Sequence, residues 1–131
     1  MSYQIIDNFL PEELFTKIKN EIIGPEFPWT MTPYVSDFDE IYIEPDDPTS
    51  AYYFTNTLFE SNSLVSRPRA QIMLPILKKL VIDSVIRIKA NLYPSTSTVV
   101  HHKSHTDMPW KHEGAIFYLN TNNGFTVLDE E

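Results

Sequence analysis

The residues with the clearest chemical potential in this chain are His105 and Asp107, within residues 90–119. On an extended backbone the side chains of residues i and i+2 point to the same side, so this imidazole and this carboxylate can converge on one point. Together they make up two thirds of the 2-His-1-carboxylate set, which binds Fe(II) and leaves coordination positions open. The sequence therefore indicates part of a transition-metal site, and a third ligand has to come from elsewhere.

Three further histidines lie near this pair in the sequence. His101 has the same strand parity as His105, so both side chains would face one cavity, whereas His102 would face the opposite side. His112 lies in the following loop, from which it can swing toward the pair. An exposed or ordinarily hydrogen-bonded histidine is the more frequent case, and we expect it for all three.

Length and composition describe a globular protein. The 131 residues suffice for one domain with a core, and we expect a single domain over residues 1–131. Apolar residues make up 42% of the chain and aromatic residues 13%, which distinguishes it from disordered sequences.

Charge and cysteine content narrow the classes of function. The net charge of -8 disfavours binding to nucleic acid or to an anionic membrane, because both require a basic surface. The sequence contains no cysteine, which excludes disulfides, thiolate metal sites and cysteine nucleophiles. Since neither a signal peptide nor a membrane-spanning apolar run is visible, we expect a soluble, cytoplasmic protein.

Two amphipathic helices are predicted. The first begins at Pro11, has acidic residues in its first turn and ends at Gly24, and the second begins at Pro75. Their predicted buried stripes are Leu14, Phe15, Ile18 and Ile22 in the first helix, and Ile76, Leu77, Leu80 and Val81 in the second.

Residues 25–48 are rich in proline and aromatic residues, so a long helix is excluded there. Two interpretations stay open: a loop that covers a site, with residues 27–47 selecting the substrate, or an irregular edge whose aromatic rings fill the core. The connector that follows carries Arg67 and Arg69, which we expect at the surface.

Strands are predicted at residues 3–6, 41–43, 51–59, 85–93, 98–103, 114–121 and 125–128. In residues 85–93 apolar and polar side chains alternate, so that Ile88 and Ala90 face one side and Arg87 and Lys89 face the other. Two interpretations of this strand stay open. Its apolar face packs on the core while its polar face meets water, or its apolar face packs against helices while its polar face lines a ligand cavity.

The order of these elements predicts the fold class. Helices come first and consecutive antiparallel strands follow, with a tight type I′ turn at residues 122–124 because Asn-Gly tolerates positive φ angles. We expect an α+β, mainly β fold: a partial jelly roll with two helices packed on one sheet. An exposed strand edge after Leu128 favours self-association into a homo-oligomer.

Several segments resemble the Fe(II)- and 2-oxoglutarate-dependent oxygenases, most closely the prolyl-4-hydroxylase-like group with its small phage and marine-microbial members. They are residues 88–94 (IKANLYP), His105-Thr106-Asp107 and residues 116–120 (IFYLN), which occur in the family's order. The opening residues 6–10 (IDNFL), followed by a helix, are also typical of the group.

The resemblance implies a double-stranded β-helix, which is a jelly roll with the metal between its two sheets. It implies that His105 and Asp107 are metal ligands, that Tyr93 lies in the cosubstrate pocket, and that Tyr118 hydrogen-bonds the 2-oxoglutarate carboxylate. The implied cofactors are Fe(II) and 2-oxoglutarate. In the family reaction 2-oxoglutarate is converted to succinate while a C–H bond of a second substrate, here an unidentified small molecule or peptide, is hydroxylated.

The family pattern also contains a second metal-binding histidine, followed by an arginine that pairs with 2-oxoglutarate. Neither residue type occurs after His112 in this sequence. We therefore expect residues 1–131 to be the N-terminal part of a longer jelly-roll domain. By itself this part is expected to be inactive and to be isolated largely without iron, because two ligands bind the ion weakly.

Two other functions are compatible with these residues. A non-catalytic jelly-roll or cupin-like binding module keeps the fold without the iron chemistry, and a continuation of the sequence into a histidine and then an arginine would argue against it. A zinc hydrolase would use His105, Asp107 and another histidine, with Glu113 as its general base. Trp110 either walls a substrate pocket or covers the end of a sheet.

Overall fold

The computed structural model describes residues 3–35, 52–61, 67–102 and 104–128. The chain divides into two compact units. The first, here called the sheet-and-helix unit, consists of Tyr3–Thr30 and Phe54–Leu92. The second consists of Met1–Ser2, Met31–Tyr53 and Tyr93–Glu131, and we call it the histidine unit because all four histidines lie in it.

Helix α1 spans Glu12–Ile23, as its sequence signals predict. Pro11 precedes it, and Glu12 and Glu13 place negative charge in the first turn, at the positive end of the helix dipole. The helix ends before Gly24, where an added Cβ would lie 2.6 Å from the backbone oxygen of Asn20. A residue with a side chain would therefore collide with the last turn.

The second helical region contains three short pieces rather than one helix. Helix α2 spans Arg67–Ala70, a 3₁₀ turn spans Gln71–Met73, and helix α3 spans Leu74–Leu80, with Pro75 in its first turn as predicted. Val81, predicted in the buried stripe, is 89% exposed. Its φ of 50° is left-handed and ends the helix, which turns the side chain away from the stripe.

A lysine on α3 is connected to the turn before α1. Lys79 Nζ donates a hydrogen bond to the backbone oxygen of Phe9 and lies 4.9 Å from the centroid of that ring. The turn itself contains Asn8 with a φ of 52°, a conformation that asparagine tolerates better than most residues. Residues 7 and 8 therefore form a turn before α1.

Among the described residues, three strands form one sheet in the order β1-β2-β3, namely Thr30–Thr32, Tyr53–Glu60 and Arg87–Leu92. Strands β2 and β3 are antiparallel and realise the predictions for residues 51–59 and 85–93. In the register of the two strands, Ile88 lies opposite Phe59 and Lys89 lies opposite Thr57. Burial along β3 does not follow the predicted alternation, because Arg87 to Ala90 are all half-buried. A bulge between Thr57 and Phe59 inserts one extra residue into β2.

The buried apolar side chains lie almost entirely in the sheet-and-helix unit. Ile18 and Leu58 are the largest fully buried side chains of the described residues. The other buried apolar residues of this unit are Leu10, Ile22, Phe27 and Ile76. Burial of Phe27, whose ring lies 4.7 Å from that of Trp29, agrees with the interpretation that aromatic rings from the proline-rich segment fill the core.

The histidine unit has a different local structure. Its described residues 93–102 and 104–128 contain no helix or strand, so the strands predicted at 98–103, 114–121 and 125–128 are wrong for these residues. The strand predicted at residues 3–6 is also absent. Side chains in these segments are largely exposed, and β-forming residues make stable strands only where a partner strand and a packed face are present.

The turn at residues 122–124 is also built differently from the prediction. Gly124 does not adopt a positive φ, so this is not a type I′ turn. Instead, Asn122 Oδ1 accepts a hydrogen bond of 2.8 Å from the Gly124 N–H, and Asn122 Nδ2 donates to the Asn120 oxygen at 3.2 Å. A hydrogen bond from the Gly124 N–H to the Asn122 side chain therefore stabilises this turn, which does not need a left-handed backbone.

At the level of fold class the prediction is confirmed: helices and an antiparallel sheet make up an α+β protein. The sheet of the described residues has three strands, whereas a jelly roll has about eight, so the jelly roll stays a prediction. The strand predicted at residues 41–43 lies outside the described residues. None of the described helices is long and apolar enough to cross a membrane.

Candidate metal centre

The four histidines of the chain lie within twelve residues, from His101 to His112, shortly after the end of β3. The segment that connects β3 to them contains a local turn, in which the Thr96 hydroxyl donates to the Thr98 oxygen at 2.6 Å. Beyond it, the backbone bends through residues 107–110. The candidate site is therefore carried by irregular backbone rather than by a strand.

His105 and Asp107 approach each other closely. His105 Nε2 lies 3.9 Å from Asp107 Oδ1, which agrees with the predicted convergence of the two side chains. Two ligand atoms bound to one ion at right angles, with bonds of about 2.1 Å, would be about 3.0 Å apart. The difference of about 1 Å is within the range of side-chain rotation. Their role as metal ligands stays a prediction.

Both side chains are open to solvent, at 37% exposure for His105 and 58% for Asp107. An imidazolium at this distance would form only a weak ion pair with the carboxylate, because water screens exposed charges. The expected strands on either side of the pair are not formed in the described residues, so no sheet of the histidine unit encloses it there. The pair is accessible to an ion or a small ligand from solution.

Tyr93 belongs to a group of aromatic rings in the histidine unit. Its ring stacks on Tyr53, with centroids 5.3 Å apart and planes 14° from parallel, and lies 5.9 Å from the ring of His102. Tyr53 is buried whereas Tyr93 is exposed, so the inner ring supports the outer one. The contact between Tyr53 and Tyr93 was not predicted from the sequence. It follows from the register of β2 and β3, in which Phe54 pairs with Leu92 and Tyr53 therefore lies opposite Tyr93.

Tyr118 is exposed, and its hydroxyl lies 2.7 Å from Thr126 Oγ1. Either oxygen can donate in this contact, so Tyr118 can also donate to a ligand while it accepts from Thr126. Sequence reasoning missed Thr126. The position of Thr126 in the sequence could have identified it as a partner of Tyr118, because both residues are equally many positions from Asn122 in the turn.

The remaining histidines have separate surroundings. The ring of His101 lies edge-on to that of Phe125, with centroids 5.1 Å apart. His112 Nδ1 lies 2.8 Å from the backbone oxygen of Trp110, whose side chain is exposed. Within the described part of the chain, no three histidine or acidic residues are grouped so as to hold a metal ion. Glu113 is exposed.

Two shallow clefts of the sheet-and-helix unit lie at the C-terminal end of α1. One has a volume of about 310 Å³ and is bordered by Lys19 and Ile23, and the other, of about 230 Å³, is bordered by Glu21 and Arg69 among others. Neither cleft is lined by a residue that the sequence singles out for metal or cosubstrate binding.

Comparisons of the chain with protein-family models, with curated proteins and with solved structures gave no match.

Proposed function

We propose that His105 and Asp107 are two ligands of an Fe(II) centre in a 2-oxoglutarate-dependent dioxygenase of the jelly-roll type. The observation that carries this proposal is the 3.9 Å approach of His105 Nε2 and Asp107 Oδ1 at an accessible position. A nitrogen and a carboxylate oxygen are the donor types of the 2-His-1-carboxylate set. The pair therefore fits two of the three ligand positions.

The bound Fe(II), together with 2-oxoglutarate and O2, would supply the oxidising chemistry for hydroxylation of a C–H bond. The part of this chain is to bind and orient. His105 presents a neutral nitrogen, Asp107 supplies negative charge that favours a divalent cation, and the exposure of both leaves room for the cosubstrate.

Tyr118 is assigned to the cosubstrate. In this proposal its hydroxyl donates a hydrogen bond to a carboxylate oxygen of 2-oxoglutarate, while the Thr126 hydroxyl donates to the tyrosine oxygen. The 2.7 Å contact between these two oxygens supports the arrangement, because it orients the Tyr118 hydroxyl before the ligand arrives. Tyr93, held flat against Tyr53, forms an aromatic wall beside the cosubstrate.

Metal titration of the whole chain tests the proposal, with Mn(II) as a redox-stable substitute for Fe(II) and free Mn(II) measured by electron paramagnetic resonance. We expect His105→Ala and Asp107→Ala each to weaken Mn(II) binding by about tenfold or more. His101→Ala is the matched control, because its ring lies against Phe125, and it should leave the affinity within about twofold. Equal affinities in all four proteins would remove the proposal.

The cosubstrate is tested by a pair of ligands that differ only in the 2-oxo group. 2-Oxoglutarate can chelate the ion through its oxo and carboxylate oxygens, whereas glutarate lacks the oxo group. We therefore expect 2-oxoglutarate, but not glutarate, to tighten Mn(II) binding, since linkage requires each ligand to strengthen the other. Equal effects of the two would instead favour a binding module without dioxygenase chemistry. In any form of the protein that produces succinate, His105→Ala should abolish that production.

A further inference from the structure

The turn at residues 122–124 contains Asn123-Gly124, the dipeptide that the sequence singles out and that the proposed metal site does not use. Asn123 is exposed, the backbone bends at this residue, and no helix or strand of the described residues includes it. The described hydrogen bonds of the turn are made by the neighbouring Asn122 side chain rather than by that of Asn123. The amide group of Asn123 is therefore accessible to water.

An asparagine in such surroundings can react with its own backbone. The nitrogen of the next residue, after loss of its proton, attacks the side-chain carbonyl carbon and closes a five-membered ring. A side chain on that next residue hinders the attack, whereas glycine has no Cβ and leaves the nitrogen accessible and the backbone able to rotate. Asn123 is the only asparagine of the sequence that is followed by glycine.

From these observations we infer that Asn123 is a site of spontaneous covalent modification, which converts it to a mixture of aspartate and isoaspartate. The Gly124 nitrogen forms a bond to the side-chain carbonyl carbon of Asn123, and the bond from that carbon to the side-chain nitrogen breaks. Ammonia leaves with the proton that Gly124 has lost. One molecule of water then opens the cyclic imide at either of its two carbonyl carbons. No metal ion takes part, so the inference is independent of the proposed function.

The Asn122 side chain restrains this reaction. Its Oδ1 accepts a hydrogen bond of 2.8 Å from the attacking nitrogen of Gly124, and its Nδ2 donates to the backbone oxygen of Asn120 at 3.2 Å. An N–H that donates to a carbonyl oxygen loses its proton less readily, and this bond must break before the nitrogen attacks Asn123. Asn122 therefore slows the modification of its neighbour.

The modification changes the turn between Tyr118 and Thr126. Both products add a negative charge at position 123, and isoaspartate also adds a carbon atom to the backbone of the turn. Because the hydroxyl oxygens of Tyr118 and Thr126 lie 2.7 Å apart on either side of this turn, isoaspartate should disturb their contact.

Peptide mapping of the whole chain by mass spectrometry, after incubation in mildly alkaline buffer, tests the inference. We expect deamidation at Asn123, with both isoaspartate and aspartate as products. Asn122 is an internal control, because it is also exposed but is followed by a residue with a side chain. Asn56, whose Nδ2 donates to the Pro28 oxygen at 2.9 Å, is a second control, and both should stay intact. Aspartate without isoaspartate, or equal deamidation at all three asparagines, would overturn the inference.

Two variants separate the reaction from its restraint. Gly124→Ala places a Cβ next to the attacking nitrogen, so the modification should nearly stop, and an unchanged rate would overturn the inference. Since this Cβ lies 3.0 Å from Asn122 Oδ1, loss of the restraint alone would instead raise the rate. Asn122→Ala removes the acceptor and should raise the rate by about twofold to tenfold, the effect of one hydrogen bond. A rate no higher than that of wild type would show that Asn122 is not the restraint.

Discussion

Apolar residues of similar type are buried in a strand in one compact unit of this protein and exposed on irregular backbone in the other. In the sheet-and-helix unit, Leu58 of β2 is almost completely buried and β2 has a hydrogen-bonded neighbour in β3. In the histidine unit, Ile116 and Val127 are about as apolar, yet they are 63% and 64% exposed and belong to no strand. The comparison shows that residues with a high propensity for β-structure form a strand only where a partner strand and a packed face are present.

The residues that stabilise the fold and the residues proposed to bind ligands also lie in different units. The residues that bury apolar surface lie almost entirely in one unit, and the residues assigned to metal and cosubstrate lie in the other. Substitutions in the sheet-and-helix unit should therefore change the free energy of unfolding. Substitutions in the histidine unit should change ligand binding with little effect on stability.

The largest expected difference between the units is in amide hydrogen exchange. Amides of α1 and of the β2–β3 ladder should exchange only through global opening, which for a stability of about 5 kcal/mol protects them on the order of a thousandfold or more. Amides of residues 114–121 should exchange nearly as fast as in an unfolded chain, because no ladder is formed there. Equal protection, measured by NMR, would contradict the contrast.

A core truncation should come next in size. Ile18 is 1% exposed, so Ile18→Ala is expected to lower the free energy of unfolding by about 2–5 kcal/mol through lost apolar contact and the cavity left behind. Ile116→Ala is the matched control in the histidine unit and should change it by no more than about 0.5 kcal/mol. Urea unfolding followed by circular dichroism measures both, and a costly Ile116→Ala would show that the histidine unit has a core.

A pair of glycines offers a comparison of intermediate size. Gly24→Ala places a Cβ 2.6 Å from the Asn20 oxygen at the end of α1, and should destabilise the fold by about 1–3 kcal/mol. Gly114→Ala meets no atom within 4 Å, so it should be neutral or stabilise by a few tenths of a kcal/mol, because it restricts the unfolded chain. Thermal unfolding of the two variants is the check, and an equal loss in both would show that the contact at Gly24 is not the cause.

The smallest expected effect concerns Tyr118. Removal of its exposed hydroxyl in Tyr118→Phe should leave the free energy of unfolding within about 0.5 kcal/mol. The affinity for 2-oxoglutarate in the presence of Mn(II), measured by calorimetry, should fall by about threefold to tenfold, because one hydrogen bond to a carboxylate is lost. Thr126→Val should have a weaker effect of the same sign, since it only removes the partner that orients Tyr118. Unchanged affinity in Tyr118→Phe would remove this residue from the site.

Local signals in the sequence predicted α1, β2 and β3, but the strand predicted at residues 3–6 is absent and β1 was not predicted. Pro11 and Gly24 mark the two ends of α1, and the alternation around Ile88 marks β3. The bulge in β2 was not predictable, because it depends on how two strands distant in sequence align. Val81 was misplaced because the pattern of apolar residues does not reveal where a left-handed residue ends a helix.

The candidate site was predictable only in part. The approach of His105 and Asp107 follows from their spacing, which requires no knowledge of the fold. The partners Tyr53 and Thr126 depend on pairing across the chain, and sequence reasoning missed both. The strands expected around the site would each need a neighbouring strand to pair with, and the local pattern of apolar residues does not show whether that neighbour is present.

Paramagnetic broadening by Mn(II) measures most directly whether His105 and Asp107 bind a metal ion. Substoichiometric Mn(II) added to the ¹⁵N-labelled chain should first remove the backbone amide signals of residues 104–108 and leave those of α1 sharp. The same addition to the His105→Ala, Asp107→Ala double variant should broaden no signal selectively. Broadening centred on the acidic N-terminus of α1, or spread evenly over the chain, would contradict a metal site at this pair.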